Sequence, residues 1–410
     1  MCFNELISKF KEKRGLSIFD IDFEWTVITW WNGRQPPLRY TKWKKHIKCL
    51  FSEDVDHALP FVGGVVGWLG YEAGKHFEQM PVPKSKVNFP EVYFWETDGG
   101  ILLHHKTNTM YLAGTDNFIN QAQQLLTQPN QSIPITGCKI ALPCKKTQDH
   151  YQQSVRYLLN KIREGELYQA NLSWKMPDFK MTTPLGHWLK LRKHNHSRYG
   201  AYLQMEGINI LSNSPERYLH INRDDRNILV QSTPIKGTST QGAKNRLRLW
   251  NSEKERAELT MITDLVRNDF GRVCEPGSIF PGHRRIKKCG DLYHAEQTVY
   301  GRISADRNCL DILSASFPPG SVTGAPKVSA MKFIHHLETE PRGIYTGTIG
   351  FISKHGRAHF NVAIRTITVQ DACASYRVGA GIVADSCPKQ EWKETLSKGR
   401  AILFNLSTDK

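Results

Sequence analysis

The chain has 410 residues, room for roughly two to three domains or one large one. With 40% hydrophobic and 23% charged residues it reads as a globular protein with a sizeable core, and no run of about 18 apolar residues offers a membrane span. The formal net charge of +16 suits a nucleic acid, an acidic partner protein or a small dianionic substrate. The basic clusters at 42–48, 190–198 and 283–288 carry no helix-turn-helix, finger or RNA-binding signature, so a nucleic-acid binder stays an alternative from another function class. Nine scattered cysteines do not look like a disulfide framework, and residues 1–13 mix charges without the apolar stretch of a secretion signal. A reducing cytoplasm is the expected compartment.

The first 140 residues or so read as strands and loops. Residues 23–31 are rich in β-branched and aromatic side chains, and 61–71 (FVGGVVGWLGY) predicts a buried strand pair, since it lacks the spacing of a nucleotide loop. A short helix is predicted over 117–126, then a proline-punctuated connector over 127–144. Thr147 is placed to cap a helix whose apolar side carries Tyr151, Val155, Leu158, Leu159 and Ile162. Strands follow at 167–173 and 208–211, the second ending in the turn Ser212-Asn213-Ser214-Pro215-Glu216. Ser252 and Glu255 have capping-box spacing at the start of a long helix through Leu259, Ile262, Leu265 and Val266 to about Gly271. A helix over 328–337, strands at 345–352, 359–369 and 376–384, and a last helix from Pro388 complete an α+β pattern without βαβ alternation.

Several residues invite chemistry. Glu258 shares a helical face with Ile262, Leu265 and Val266, and a carboxylate there must be paired, neutralised or bound to a cation. Glu391 and Glu394 share a face of the last helix, while Glu255 is accounted for by its capping position. Carboxylates from two helices suit a hard cation such as Mg²⁺, although solvated helix faces would give the same spacing. Lys236, between Pro234 and Gly237, is expected in a tight turn that aims it; an ordinary surface lysine is the bland alternative, as an ordinary turn carboxylate is for Glu216. PPGSVTGAPK at 318–327 fails as a phosphate loop and reads as a tight loop into a helix. Gly379-Ala380-Gly381 predicts close approach of backbone to a ligand or another strand, and Arg365, expected inside a strand over 362–367, needs an anion.

In this order the pieces are specific. Ser214-Pro215-Glu216, Pro234-Ile235-Lys236-Gly237-Thr238, and the stretches 258–272 (ELTMITDLVRNDFGR), 317–331 (FPPGSVTGAPKVSAM), 342–350 (RGIYTGTIG), 361–366 (NVAIRT) and 379–394 (GAGIVADSCPKQEWKE) together resemble the chorismate-utilising enzymes. That family holds anthranilate, aminodeoxychorismate, isochorismate and salicylate synthases. The resemblance covers about residues 145–405 and is loose before that, which divides the chain into an N-terminal subdomain, 1–144, and a chorismate-binding region, 145–410. It implies two large antiparallel sheets packed face to face with helices outside and the active site between them.

The resemblance also implies roles. Glu258 and Glu394 match Mg²⁺-binding glutamates, with Glu255 and Glu391 beside them; Glu216 matches the acid that helps the C4 hydroxyl of chorismate leave. Tyr345, Arg365, Thr323 and the backbone of Gly379, Ala380 and Gly381 match the substrate site, and His294 a histidine near the reacting ring. Water-using members carry a lysine base where this chain has Gln169, which favours ammonia as nucleophile. At Lys236 the Pro-Ile-Lys-Gly-Thr pattern resembles the aminodeoxychorismate synthases, whereas anthranilate synthases resemble Pro-Ile-Ala-Gly-Thr and are the runner-up. A regulatory relative that binds chorismate without turnover is disfavoured by the intact glutamates. No glutaminase signature is found, so a separate glutamine amidotransferase subunit is the expected ammonia source. Ala295, Glu296 and Gln297 depart from the family pattern after His294, as does Thr263, expected to be a packing variant. Asp264, Arg267, Asn268 and Asp269 are expected to hold the fold through charge pairs.

Overall fold

Two large antiparallel sheets lie face to face in the computed structural model, which describes residues 2–38, 47, 58–81, 89–223, 227–290, 292–403 and 406. Among the described residues one sheet has eleven strands, in the order Gly324–Ala325, Gln169–Lys175, Cys373–Ile382, Thr366–Gln370, Ile208–Ser214, Tyr199–Met205, Ser17–Ile21, Trp25–Thr29, Gly99–His104 and Thr109–Gly114, with Phe179–Lys180 alongside Cys373–Ile382. The other has eight: Phe280–Pro281, Val299–Ile303, Ile228–Thr233, Arg217–Arg223, Ala358–Val362, Thr348–Ser353, Gly64–Leu69 and Val92–Thr97. Strands from before residue 145 pair with later ones in both sheets. The expected basic cluster at 42–48 lies outside the described residues apart from Ile47.

Alternation explains the layers. In Gly64–Leu69, Val66 and Trp68 join the core between the sheets while Val65 and Leu69 join the core beneath the helices. Tyr93 and Trp95 face Trp68 in the same way, with Val92 and Phe94 on the other side. A strand buried on both faces reads as an unbroken apolar run, which is why 61–71 looked like a strand pair; it is one strand followed by the short helix Tyr71–His76. The helices Lys145–Arg163, Pro184–His194 and Pro388–Leu403 cover the eleven-stranded sheet with Tyr151, Val155, Trp188 and Trp392, and Glu253–Gly271 and Cys309–Ser316 cover the other. No helix among the described residues is long and apolar enough to cross a membrane.

Local signals resolve as follows. The first of these helices begins at Lys145 after Cys144 rather than at a Thr147 cap. Ser252 accepts from the N–H of Glu255 at 3.3 Å, but Glu255 does not return the bond, so only half of the expected capping box forms. Ile208–Ser214 runs on through the expected turn, leaving Pro215 and Glu216 as the link to Arg217–Arg223 in the other sheet. Arg365 likewise sits in the link between Ala358–Val362 and Thr366–Gln370, with φ +51°, not inside a strand. A third sheet, Ile235–Thr240, Leu292–Glu296 and Arg285–Cys289, was not foreseen.

Buried charges tie these parts together. Glu338, at the end of the helix Lys327–Leu337, accepts from Ser173 N (2.8 Å) and Oγ (2.9 Å), from Arg342 Nε (3.0 Å) and Nη2 (2.7 Å) and from Arg377 Nη2 (3.0 Å). Burial pushes its carboxyl up, but Arg342 and Arg377 outweigh that and hold it below the ordinary carboxylate range. Glu338→Ala leaves two buried guanidinium groups without their anion and is expected to cost about 3–5 kcal/mol in chemical denaturation. Because its folded-state pKa is depressed, the contribution is present above the unfolded carboxylate range and is lost on acidification. The gap between wild type and variant should therefore narrow as pH falls.

Candidate active site

The strand Gln169–Lys175 lies between Gly324–Ala325 and Cys373–Ile382, with Asn171 opposite Gly381 and Ser173 opposite Gly379. Gln169 is 0% exposed, yet neither its amide oxygen nor its amide nitrogen has a hydrogen-bond partner among the described residues. An unpaired buried amide costs about 1–3 kcal/mol, a cost that a ligand at this spot removes. A Cβ on Gly381 would stand 2.7 Å from Gln169 Nε2 and 3.4 Å from Lys236 Nζ, so the missing side chain is the space into which both project. On Gly379 it would stand 2.5 Å from the Tyr345 hydroxyl, which brings Tyr345 to the same strand.

Lys236 lies on the strand Ile235–Thr240, not in a turn: Pro234 ends the preceding strand, and an irregularity between Ile235 and Thr238, with Gly237 at φ +84°, re-aims the side chain. Nζ donates to the Ser321 carbonyl at 3.1 Å. The residue is half-buried, but its ammonium end is deep enough that burial pulls it below the ordinary lysine range; Glu258, Glu216 and Glu255 oppose that shift and Lys398 adds to it. Glu216 is buried, and desolvation pushes its carboxyl up to about 7 against the pull of Ser321, Lys236 and the Ile235 N–H. Its Oε1 has no hydrogen-bond partner among the described residues.

His294 is buried on the strand Leu292–Glu296, its Nδ1 2.9 Å from Thr238 Oγ1 and its Nε2 without a partner among the described residues. Burial first, then Arg365, Arg198 and Lys398, push it down to about 3, so the ring is neutral. Arg365, which influences His294 and Tyr376, makes no ion pair with a described residue. Thr323, by contrast, spends its hydroxyl on Pro319 O at 2.8 Å.

The four glutamates share a field but not one cage. Glu258 is raised by burial, with Glu255 and Glu391 adding to the rise and Lys236 opposing it. Glu255 instead packs against Gly237, Glu391 is buried and raised by that burial with Ser386 opposing the rise, and Glu394 is exposed and paired with Lys398 at 2.7 Å. Among the described residues no three His, Cys, Asp or Glu side chains gather closely enough to hold a metal ion by themselves. Carboxylates near enough to raise Glu258 by like charge still fit a hard cation that takes one or two protein ligands and fills the rest from water and substrate.

Sequence reasoning missed two residues here. Lys398 reaches Glu394 and the Gly379 carbonyl (3.2 Å), and its i,i+4 spacing from Glu394 was the available signal. Ser321 had only its place in PPGSVTGAPK. The departures from the family pattern also resolve: Glu296 pairs with Arg198, and Gln297 accepts from Thr263 Oγ1 at 3.3 Å, so two unusual residues bond to each other. Asp269 pairs with Lys327 and Asp264 with Arg267, both at 2.8 Å. Gly381→Ala puts a methyl group between Gln169 and Lys236 and is expected to lower turnover about 10²-fold while the melting temperature barely moves, read from steady-state kinetics and thermal melts.

A profile for chorismate binding enzymes matches residues 22–404. The chain is 32% identical over 364 residues to aminodeoxychorismate synthase component 1 of Klebsiella aerogenes, covering 85% of this chain and 78% of that protein. It is 33% identical over 390 residues to the chloroplastic aminodeoxychorismate synthase of Arabidopsis thaliana, where it spans 87% of its own length and 42% of the plant protein. Its fold superposes on the crystal structure of anthranilate synthase component I from Streptococcus pneumoniae TIGR4 with a TM-score of 0.80, at 25% identity, over 95% of this chain and 90% of that one. A site of neutral histidine, desolvated lysine and raised carboxyl, carried on two facing sheets and matched over nearly the whole chain, makes this protein a member of the chorismate binding enzyme family.

Proposed function

We propose that the chain aminates chorismate at C4 with ammonia, giving 4-amino-4-deoxychorismate, as an aminodeoxychorismate synthase component I. The observation that carries this is Lys236, whose desolvated amine projects with the Gln169 amide into the space beside Gly381 and is coupled electrostatically to the Glu216 carboxyl. Nζ forms a bond to C2, the conjugated ring double bonds shift, and the C4–oxygen bond breaks; the oxygen leaves as water with the proton of Glu216. Ammonia then forms a bond to C4, the double bonds shift back and the C2–Nζ bond breaks, which returns the amine to Lys236. The Glu216 carboxylate takes the extra proton from the new C4 ammonium, so no proton is gained or lost overall. Gln169 is not a base, and neutral ammonia needs none, whereas water does.

Arg365 and the Tyr345 hydroxyl support carboxylate binding, since a desolvated guanidinium without a described ion-pair partner favours an anion. Mg²⁺ would be held by Glu258 and Glu394, with Glu255 and Glu391 beside them, and supplies neutralisation of a substrate carboxylate. A glutamine amidotransferase subunit is the proposed ammonia source, and 4-aminobenzoate and folate synthesis the proposed destination. Anthranilate synthesis is the competing reading, supported by the fold match to anthranilate synthase component I.

Incubation with chorismate, Mg²⁺ and ammonia should give an aminochorismate that a lyase converts to 4-aminobenzoate; fluorescent anthranilate as the product would overturn the proposal. Lys236→Ala should reduce C4 amination about 10³-fold or more, and near-normal activity would remove its covalent role. Glu216 is the proton donor below about pH 7 and a carboxylate above it. Turnover should therefore fall as pH rises through that region, and Glu216→Gln should lose both this alkaline limb and about 10²–10⁴-fold in rate.

A further inference from the structure

Ser321 touches both of the groups given chemical roles above. Its carbonyl accepts the hydrogen bond from Lys236 Nζ, and it lines the same cavity as Glu216, near enough for its hydroxyl to draw the carboxyl's acidity toward the ionised form. It is buried, and its turn, Gly320–Val322, is braced from several sides. Val322 N and the Thr323 hydroxyl donate to Pro319 O at 3.3 and 2.8 Å, Arg342 donates to Val322 O at 3.2 Å, and Leu265 of the long helix packs where a Gly320 side chain would stand. A serine held this firmly cannot follow a moving partner; its partners must come to it.

We propose that Ser321 is a positioning residue that fixes where the protons sit on Lys236 and Glu216 during the reaction. A neutral amine that gives one N–H to the Ser321 carbonyl keeps its lone pair off that line and available to the ring carbon. A carboxyl group that accepts from the Ser321 hydroxyl on one oxygen carries its own proton on the other, and Oε1 is the oxygen left without a partner among the described residues. That oxygen is then the one aimed at the departing hydroxyl. The inference rests on the roles proposed for Lys236 and Glu216.

The groups that face Glu216 define the expected pH response. Lys236 and the Ile235 N–H come from the small sheet and Ser321 from its turn, while Asp269 of the long helix and Arg217 of the adjoining strand line the same cavity. Ser321, Lys236 and the Ile235 N–H all favour the ionised carboxylate against burial. Deleting one of them raises the pH at which Glu216 gives up its proton.

The test is chorismate consumption by the full chain across pH for wild type, Ser321→Ala and Ser321→Thr, with thermal melts of each. Ser321→Ala should lower turnover about 10–10²-fold with the Michaelis constant for chorismate nearly unchanged, and should move the alkaline limb of turnover upward. Ser321→Thr, which keeps the hydroxyl, should return the limb toward its wild-type position. Wild-type turnover in the alanine variant, an unmoved limb, an effect on the Michaelis constant alone, or a threonine variant no better than alanine would each overturn the proposal. If the alanine variant does not fold, Ser321→Cys, close in size and a weak donor, carries the same requirement that the limb move upward. Chorismate loss is read whatever the product is, so anthranilate from the wild type would sink the C4 reading and the Lys236 half of the inference, while the shift of the alkaline limb would still decide the Glu216 half.

Discussion

One carboxylate, Glu338, holds the walls of the site in register. It ends a helix, caps the backbone of Ser173 in the strand that presents Gln169, and anchors Arg377 in the strand that presents Gly379 and Gly381. Through Arg342 it also reaches Val322 O, Asn171 O and Thr346 Oγ1, and so steadies the turn that carries Ser321. Burying three charges is expensive, and the arrangement is no better for stability than well-packed apolar groups of the same shape would be. What it supplies is direction: the planar guanidinium groups fix angles between elements that apolar packing would leave free to slide.

Against that rigid wall, two groups are pushed toward each other in acidity. Burial pulls Lys236 down and pushes Glu216 up, and each opposes the other's shift because each is the other's counter-charge. The outcome is an amine held below the ordinary lysine range beside a carboxyl pushed up to about 7, so the acidities of the two groups are drawn toward each other. Exposed to water, the same two residues would form an ordinary ammonium–carboxylate pair with neither shift. The enclosure, more than the residue types, makes the chemistry available. His294 illustrates the same rule, since burial keeps it neutral where a surface histidine would titrate.

The sequence carried the parts governed by local periodicity. The apolar spacing of Leu259, Ile262 and Val266 located the long helix to its end at Gly271, and Pro388 marked the start of the last one. Gly379–Gly381 could be read as a close-approach strand because a missing Cβ is visible in one dimension. Elements whose reason lies elsewhere in the chain were not legible: Lys236 looked like a turn residue because nothing near it announces strands 50 residues later at Arg285–Cys289 and Leu292–Glu296. Glu255 looked fully explained by its helix start because its real neighbour, Gly237, belongs to another element. Thr263 and Gln297 each looked like an isolated departure, and only their hydrogen bond shows that they depart together.

Two of the links between the large sheets explain why Glu216 and Arg365 can be precise without lying in a strand. Val362 N donates to Glu216 O and Asn213 N to Arg365 O, both at 3.0 Å, so each link is hydrogen-bonded to the strand that flanks the other. Ser214 Oγ adds a bond to Val362 O at 2.6 Å, and Asn361 Nδ2 reaches Ser212 Oγ at 3.3 Å. Glu216 and Arg365 therefore ride on one cross-braced unit, and displacing one backbone displaces the other. Arg365 sits at φ +51°, a region that costs a non-glycine residue on the order of 1 kcal/mol and persists only where the surroundings impose it. The bracing imposes it at the place where the chain changes layer. Expecting Arg365 inside a strand located the right segment and missed the feature that makes it usable.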